Sequence, residues 1–258
     1  ASNDPLLLIK GYAGTGKTTL IGHLVRQLGQ ISKKSVLMAP TGRAAKVLSA
    51  YAGKNAFTIH KKIYFSKADS GGAGLKFSLK ENKHTHTVFI VDESSMIGDD
   101  RQQSKLFENG SLLHDLVHYV TKGENCQLIF VGDTAQLPPV NLGLSPALDE
   151  DELNAQFNVE VFSITLEDVV RQQAESGILF NATRIRELLI EDEVYGFKFQ
   201  LEGFKDVERI IEGNEFLEML NTALDEDGID QTVLIVRSNK RANLYNKSIR
   251  ERILFLAV

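Results

Sequence analysis

One stretch constrains the fold more than any other: Gly11-Tyr12-Ala13-Gly14-Thr15-Gly16-Lys17-Thr18, a full match to the Gly-x-x-x-x-Gly-Lys-Ser/Thr phosphate loop. The apolar run at residues 6–9 before it predicts a buried strand, and residues 19–28 after it carry helical spacing. Strand, loop and helix in that order are the context in which this pattern wraps backbone N–H groups around phosphate oxygens. Gly14, Thr15, Gly16, Lys17, Thr18 and Thr19 are therefore the candidate phosphate-binding residues. Lys17 is placed to reach the β- and γ-phosphates of ATP, and the Thr18 hydroxyl to ligate Mg²⁺. A chance glycine-rich turn before a helix is the bland alternative.

A chain of 258 residues suits one large domain, or one domain with part of another. With 43% hydrophobic and 24% charged residues it has an ordinary globular composition. The single cysteine, Cys126, excludes an internal disulfide and a cysteine metal cluster; it borders an apolar run and reads as a buried thiol in a reducing compartment. No apolar run reaches the length of a membrane span and no signal-like segment opens the chain, so the expectation is a cytoplasmic protein. The net charge of −5 hides an asymmetry: residues 1–62 hold ten Lys and Arg against one acid, and the remainder is acidic overall. A polyanion is expected at the surface built by the first 62 residues. Scattered, solvated lysines are the alternative.

Residues 36–39 predict a second buried strand, followed by Pro40-Thr41-Gly42 and a helix opening at Arg43. A Thr-Gly turn opening a helix is a second anion site in some proteins and only a turn in many others. Residues 61–87 are glycine-rich and polar, an insertion outside the core that fits either a disordered loop or a small hairpin. The run Val88-Phe89-Ile90-Val91 then ends in Asp92-Glu93. A strand ending so delivers two acids to the carboxyl edge of a parallel sheet. Asp92 is read as the Mg²⁺ acid and Glu93 as the group orienting or deprotonating the attacking water; an exposed acidic turn is the alternative. A further helix (112–120) and strand (127–131) lead to Gly132-Asp133-Thr134-Ala135-Gln136-Leu137-Pro138-Pro139. The two prolines stiffen this loop and hold Gln136 near the same edge, where it can touch the γ-phosphate or the water. Beyond it, an acidic helix-like stretch (148–154), a strand (159–164), Arg171, a helix (176–190), a buried-type strand (232–236) and a helix opening at 237 complete the chain.

Taken in order, Gly-Tyr-Ala-Gly-Thr-Gly-Lys-Thr, Ala-Pro-Thr-Gly-Arg-Ala-Ala, Asp-Glu-Ser-Ser-Met, Val-Gly-Asp-Thr-Ala-Gln-Leu-Pro-Pro-Val and Val-Val-Arg-Gln resemble the RecD-like branch of superfamily 1 DNA helicases. The Gly-Asp-x-x-Gln-Leu-Pro-Pro loop makes the resemblance specific. It implies an α/β fold: a P-loop NTPase RecA-like core with a mostly parallel sheet, a small inserted hairpin subdomain and the start of a second RecA-like domain. The first domain is expected at 1–193, with the insertion at 61–87, and the incomplete second at 194–258. The implied activity is MgATP hydrolysis coupled to movement on single-stranded DNA, 5′ to 3′. Lys17, Thr18, Asp92 and Glu93 bind and hydrolyse ATP, Gln136 senses the γ-phosphate, and Arg171 contacts it as one arginine of a pair. Pro40, Thr41, Arg43, Thr58 and His60 match segments that touch single-stranded DNA, as do Arg237, Asn239 and Asn243 in the second domain. The insertion corresponds to a subdomain that forms a pin at the duplex fork.

The resemblance further implies a monomer, with helicase or nuclease subunits as candidate partners. It also implies a fragment, because the adenine-recognition motif and the last two motifs are missing. The other arginine finger is missing with them; such fingers contribute roughly 10³ to 10⁵ in rate in related enzymes, so weak turnover is expected of the chain alone. Two rival readings remain from the sequence. One is a nucleotide- and DNA-binding module without motor activity, separable by DNA-stimulated ATP turnover. The other is a P-loop small-molecule kinase, separable by phosphoryl transfer to an acceptor other than water.

Overall fold

The computed structural model describes residues 6–68, 75–99, 107, 109–167, 176–190 and 196–253. The chain divides into two compact units, Ala1–Gln172 and Gln173–Val258. The first is built on a six-stranded, wholly parallel sheet in the order β3-β2-β6-β7-β1-β8. Its strands are β1 (Leu6–Gly11), β2 (Lys34–Ala39), β3 (Ala56–Thr58), β6 (Thr87–Val91), β7 (Gln127–Gly132) and β8 (Val161–Leu166). The helices are α1 (Lys17–Gln30), α2 (Gly42–Ala52), α3 (Ile59–Ile63), α4 (Leu112–Thr121) and α5 (Glu150–Phe157).

Strand side chains alternate between two cores. On one face Ile9, Leu37, Val88, Ile90, Ile129 and Val131 pack with Ile21, Val25 and Leu28 of α1 and Leu48 of α2. The spacing of the α1 residues explains why this stretch is a helix with one buried stripe. On the other face Leu8, Met38, Phe89, Val91 and Phe130 pack with Ile59 and Ile63 of α3, Leu113, Leu116 and Val120 of α4, and Leu153 of α5. Cys126 is buried in this second core, its thiol donating to the His84 carbonyl at 3.3 Å.

The insertion is a hairpin and not a loop: β4 (Tyr64–Ala68) pairs antiparallel with β5 (Leu75–Leu79). It is also not wholly outside the core. Ile63 and Tyr64 are buried, and the Tyr64 hydroxyl donates to Asp115 at 2.6 Å, while the Asn109 amide and side chain both donate to the other Asp115 oxygen. The polar composition of residues 80–86 hid this anchored base.

The second unit contains α6 (Gly177–Ile190), α7 (Gly213–Glu226) and α8 (Asn239–Arg252). The carboxylate of Asp206 accepts from Ser176 Oγ and the amides of Gly177 and Ile178, capping α6, and Asn181 exchanges hydrogen bonds with the Gln200 backbone. These bonds hold α6 within the second unit. The strand expected at 232–236 is absent. No described residue in this unit is a strand, and Val233 and Ile235 are exposed. β-branched residues favour a strand only when a neighbour takes up their backbone groups.

Candidate functional site

The phosphate loop joins β1 to α1. Gly14 and Gly16 both have φ of 85°, a left-handed conformation that costs a residue with a Cβ and lets the loop double back before the helix. Gly16 is the N-cap of α1, which has no side-chain cap and no acid in its first turn. Its free amides and positive dipole end therefore favour an anion. Thr15 is buried and its hydroxyl donates to the Tyr12 carbonyl at 2.8 Å, holding the loop closed. Lys17 Nζ donates to the carbonyls of Gly11 at 2.8 Å and Tyr12 at 2.9 Å. Thr18 is half-buried behind it and Thr19 is exposed.

Asp92 and Glu93 leave the end of β6, two strands from β1. Asp92 is buried, its amide donates to Met38 O of β2 and its Oδ1 accepts from the Glu93 amide. Burial pushes its carboxyl up to about 6; the Glu93 amide and Lys17 pull the other way, and the Glu93 charge adds to the rise. Glu93 sits at φ 54°, ψ 38°, an uncommon backbone for a residue with a side chain, and its Oε2 is buried without a hydrogen-bond partner. A buried acceptor left open in this way fits a site meant to meet a water or a bound group. No cluster of three or more His, Cys, Asp or Glu among the described residues could hold a metal by itself. The donor set of one hydroxyl and one buried carboxylate suits Mg²⁺ shared with phosphate oxygens.

β7 lies between β1 and β6 and supplies the third loop. Gly132 ends it, and a Cβ there would meet Leu148 Cδ1 at 2.7 Å and the Ser95 amide at 3.1 Å, so glycine lets the acid turn approach. Ser95 Oγ donates to Gln136 Oε1 at 3.3 Å, tying the exposed Gln136 to the turn that follows Glu93. Ser145 Oγ lies within hydrogen-bond distance of the carbonyls of Ser94 and Ile97, fastening the far end of the same loop to that turn. Sequence reasoning quoted Asp133 and Ser95 inside motifs without assigning them a part. Asp133 is buried, and its Oδ2 lies 3.9 Å from Lys17 Nζ. Its one sequence signal was its place directly after the apolar run 128–131.

The structure brings Lys17, Thr18, Asp92, Glu93 and Gln136 to the carboxyl edges of three adjacent strands. Arg171 lies outside the described residues. The candidate DNA-binding residues of the first unit occupy the neighbouring β2 and β3 ends. Pro40 follows β2, Thr41 caps α2 by accepting from the Ala44 amide, and Arg43 is exposed in the first turn. Thr58 likewise caps α3. A groove of about 490 Å³ runs beside them, lined in part by Gly42, Lys46, Phe57, Thr58 and Lys61. His60 is half-buried, its ring tilted against Tyr64, Phe77 and Phe107, and burial pushes its imidazole below the usual range. Arg237, Asn239 and Asn243 are exposed in the second unit, the two asparagines on α8.

A family profile described as an AAA domain matches residues 1–142. The chain is 32% identical over 139 residues to the ATP-dependent RecD2 DNA helicase of Deinococcus radiodurans, a match covering 54% of this chain and 17% of that protein. It is 33% identical over 142 residues to the ATP-dependent DNA helicase dda of Enterobacteria phage T4, covering 54% and 29%. With the RecBCD enzyme subunit RecD of Buchnera aphidicola it shares 31% identity over 158 residues, covering 54% and 23%. These matches span less than a third of each relative's length.

Proposed function

Because the chain belongs to the AAA domain family, with curated relatives named as ATP-dependent DNA helicases, we propose that it is the ATP-binding motor region of a DNA helicase of the RecD-like branch, moving 5′ to 3′ on single-stranded DNA. The observation that carries this reading is the meeting of three loops, after β1, β6 and β7, at one sheet edge. Gly14 to Thr19 enclose the triphosphate, and Lys17 neutralises its β and γ oxygens. Mg²⁺, with Thr18 and Asp92 as its protein ligands, supplies further charge neutralisation when bound. Glu93 accepts the proton of the attacking water at its open carboxylate oxygen, and Gln136 orients the water or reports the γ-phosphate. Arg171 is assigned to the γ-phosphate as well.

Pro40, Thr41, Arg43, Thr58 and His60 form the DNA side of the first unit, beside the nucleotide edge; Asn239 and Asn243 are the candidate DNA contacts of the second unit, taken by itself. In this reading 1–193 is the first RecA-like domain, the hairpin is the fork pin and 194–258 opens the second domain. The protein works in the cytoplasm as a monomer or with helicase or nuclease subunits. No helix among the described residues is long and apolar enough to cross a membrane. The test is ATP turnover with and without single-stranded oligonucleotide, together with the nucleotide dependence of oligonucleotide affinity. DNA should raise turnover, and ATP and ADP should support different DNA affinities. If neither ligand affects the other, the motor reading fails.

A further inference from the structure

We propose that Asp133 is a positioning residue for the Lys17 ammonium, tethering the loop that carries Gln136 to the phosphate loop through a buried charge pair; this rests on the ATP-binding reading above. The placement follows from sheet register. Lys10 of β1 is paired with Gly132 of β7, so the residues that follow them, Gly11 at the end of β1 and Asp133 just past β7, come side by side. Lys17 reaches back to the Gly11 carbonyl and so arrives beside Asp133.

Two of the three ammonium hydrogens are directed to Gly11 O and Tyr12 O. Asp133 is the one carboxylate within ion-pair distance of Lys17 among the described residues, and the two side chains are only 4% and 11% exposed. Its other oxygen, Oδ1, accepts from the Ala135 amide at 2.9 Å, and its carbonyl accepts from the Gln136 amide. A carboxylate this buried is costly unless a counter-charge faces it, and Lys17 is that charge. The two residues therefore hold each other: Asp133 limits where the ammonium can go, and the ammonium limits how far the Gln136 loop can move.

The test labels lysines in the nucleotide-free protein with acetic anhydride at fixed pH and reads Lys17 against exposed Lys46 by peptide mass spectrometry. Asp133→Asn keeps the shape and the acceptor for Ala135 but removes the charge. It should speed Lys17 labelling by about threefold or more, because the ammonium loses its buried partner. Asp133→Glu keeps the charge and should label at the wild-type rate. An unchanged Lys17 rate in Asp133→Asn overturns the proposal, and so does fast labelling in Asp133→Glu; the second reading decides the matter if the asparagine variant does not fold. Where ATP binds, Asp133→Asn should lower kcat by about tenfold with KM changed less than about threefold. A loss in KM alone also overturns it. If labelling responds as expected while no variant or wild type binds ATP, the charge pair stands and the ATP reading falls.

Discussion

Glu93 carries two costs together: a left-handed backbone, worth about 1–3 kcal/mol of strain, and a buried oxygen with no partner. Both become intelligible if the carboxylate is held for a water. Glu93→Gln should keep affinity for a fluorescent ATP analogue and lower single-turnover hydrolysis by about 10²–10⁴; normal turnover would remove Glu93 from the chemistry. Asp92 makes a separate prediction. Its carboxyl, raised to about 6 from an ordinary 3.8, holds a proton that the unfolded chain releases between those values. Metal-free stability is therefore lost as pH rises through that window, by at most about 3 kcal/mol. Asp92→Asn should raise Tm at pH 7 and leave it little changed at pH 4, as thermal denaturation in EDTA at the two pH values would show; equal effects at both would contradict the raised carboxyl. Lys17 and the Asp92-Glu93 pair were legible in the sequence because strand and motif coincide. Asp133 was not, since its partner is set by the β1–β7 register.

At the scale of elements, the acid turn and the loop after β7 behave as one piece, pinned by Ser95 to Gln136, by Ser145 to Ser94 and Ile97, and by the close approach at Gly132. Gly132→Ala should wedge Leu148 and Ser95 away from β7, costing about 1–3 kcal/mol in urea denaturation and slowing turnover. An unshifted urea midpoint would mean that the neighbours yield freely. Five strands and most helices could be read from apolar pattern; four of those strands are buried, while β8 leaves Phe162 and Ile164 exposed. The hairpin could not be told from a loop, since pairing across a glycine-rich turn depends on partners and not on local pattern. Residues 232–236 show the reverse: a strand-like sequence, Thr-Val-Leu-Ile-Val, with no neighbouring strand among the described residues. The order of strands, with β7 between the two that carry the motifs, left no local trace at all.

For the whole molecule, the basic first 62 residues build the phosphate loop, α2, β3 and α3, so positive charge is concentrated on the segments that carry the candidate DNA contacts. Arg43→Ala should weaken single-strand binding and reduce its log-log salt slope by about 0.7, with ATP affinity unchanged when DNA is absent. Binding titrations across a salt series would check this, and an unchanged slope would exclude Arg43 from phosphate contact. The same sheet has a consequence for how the protein is made. Among the strands of this sheet β1 is synthesised before the rest, yet both strands that flank it, β7 and β8, follow more than a hundred residues later. The phosphate loop thus has no sheet to stand on until most of the first unit has been synthesised, which makes nucleotide a late reward for completed folding and not an early template for it.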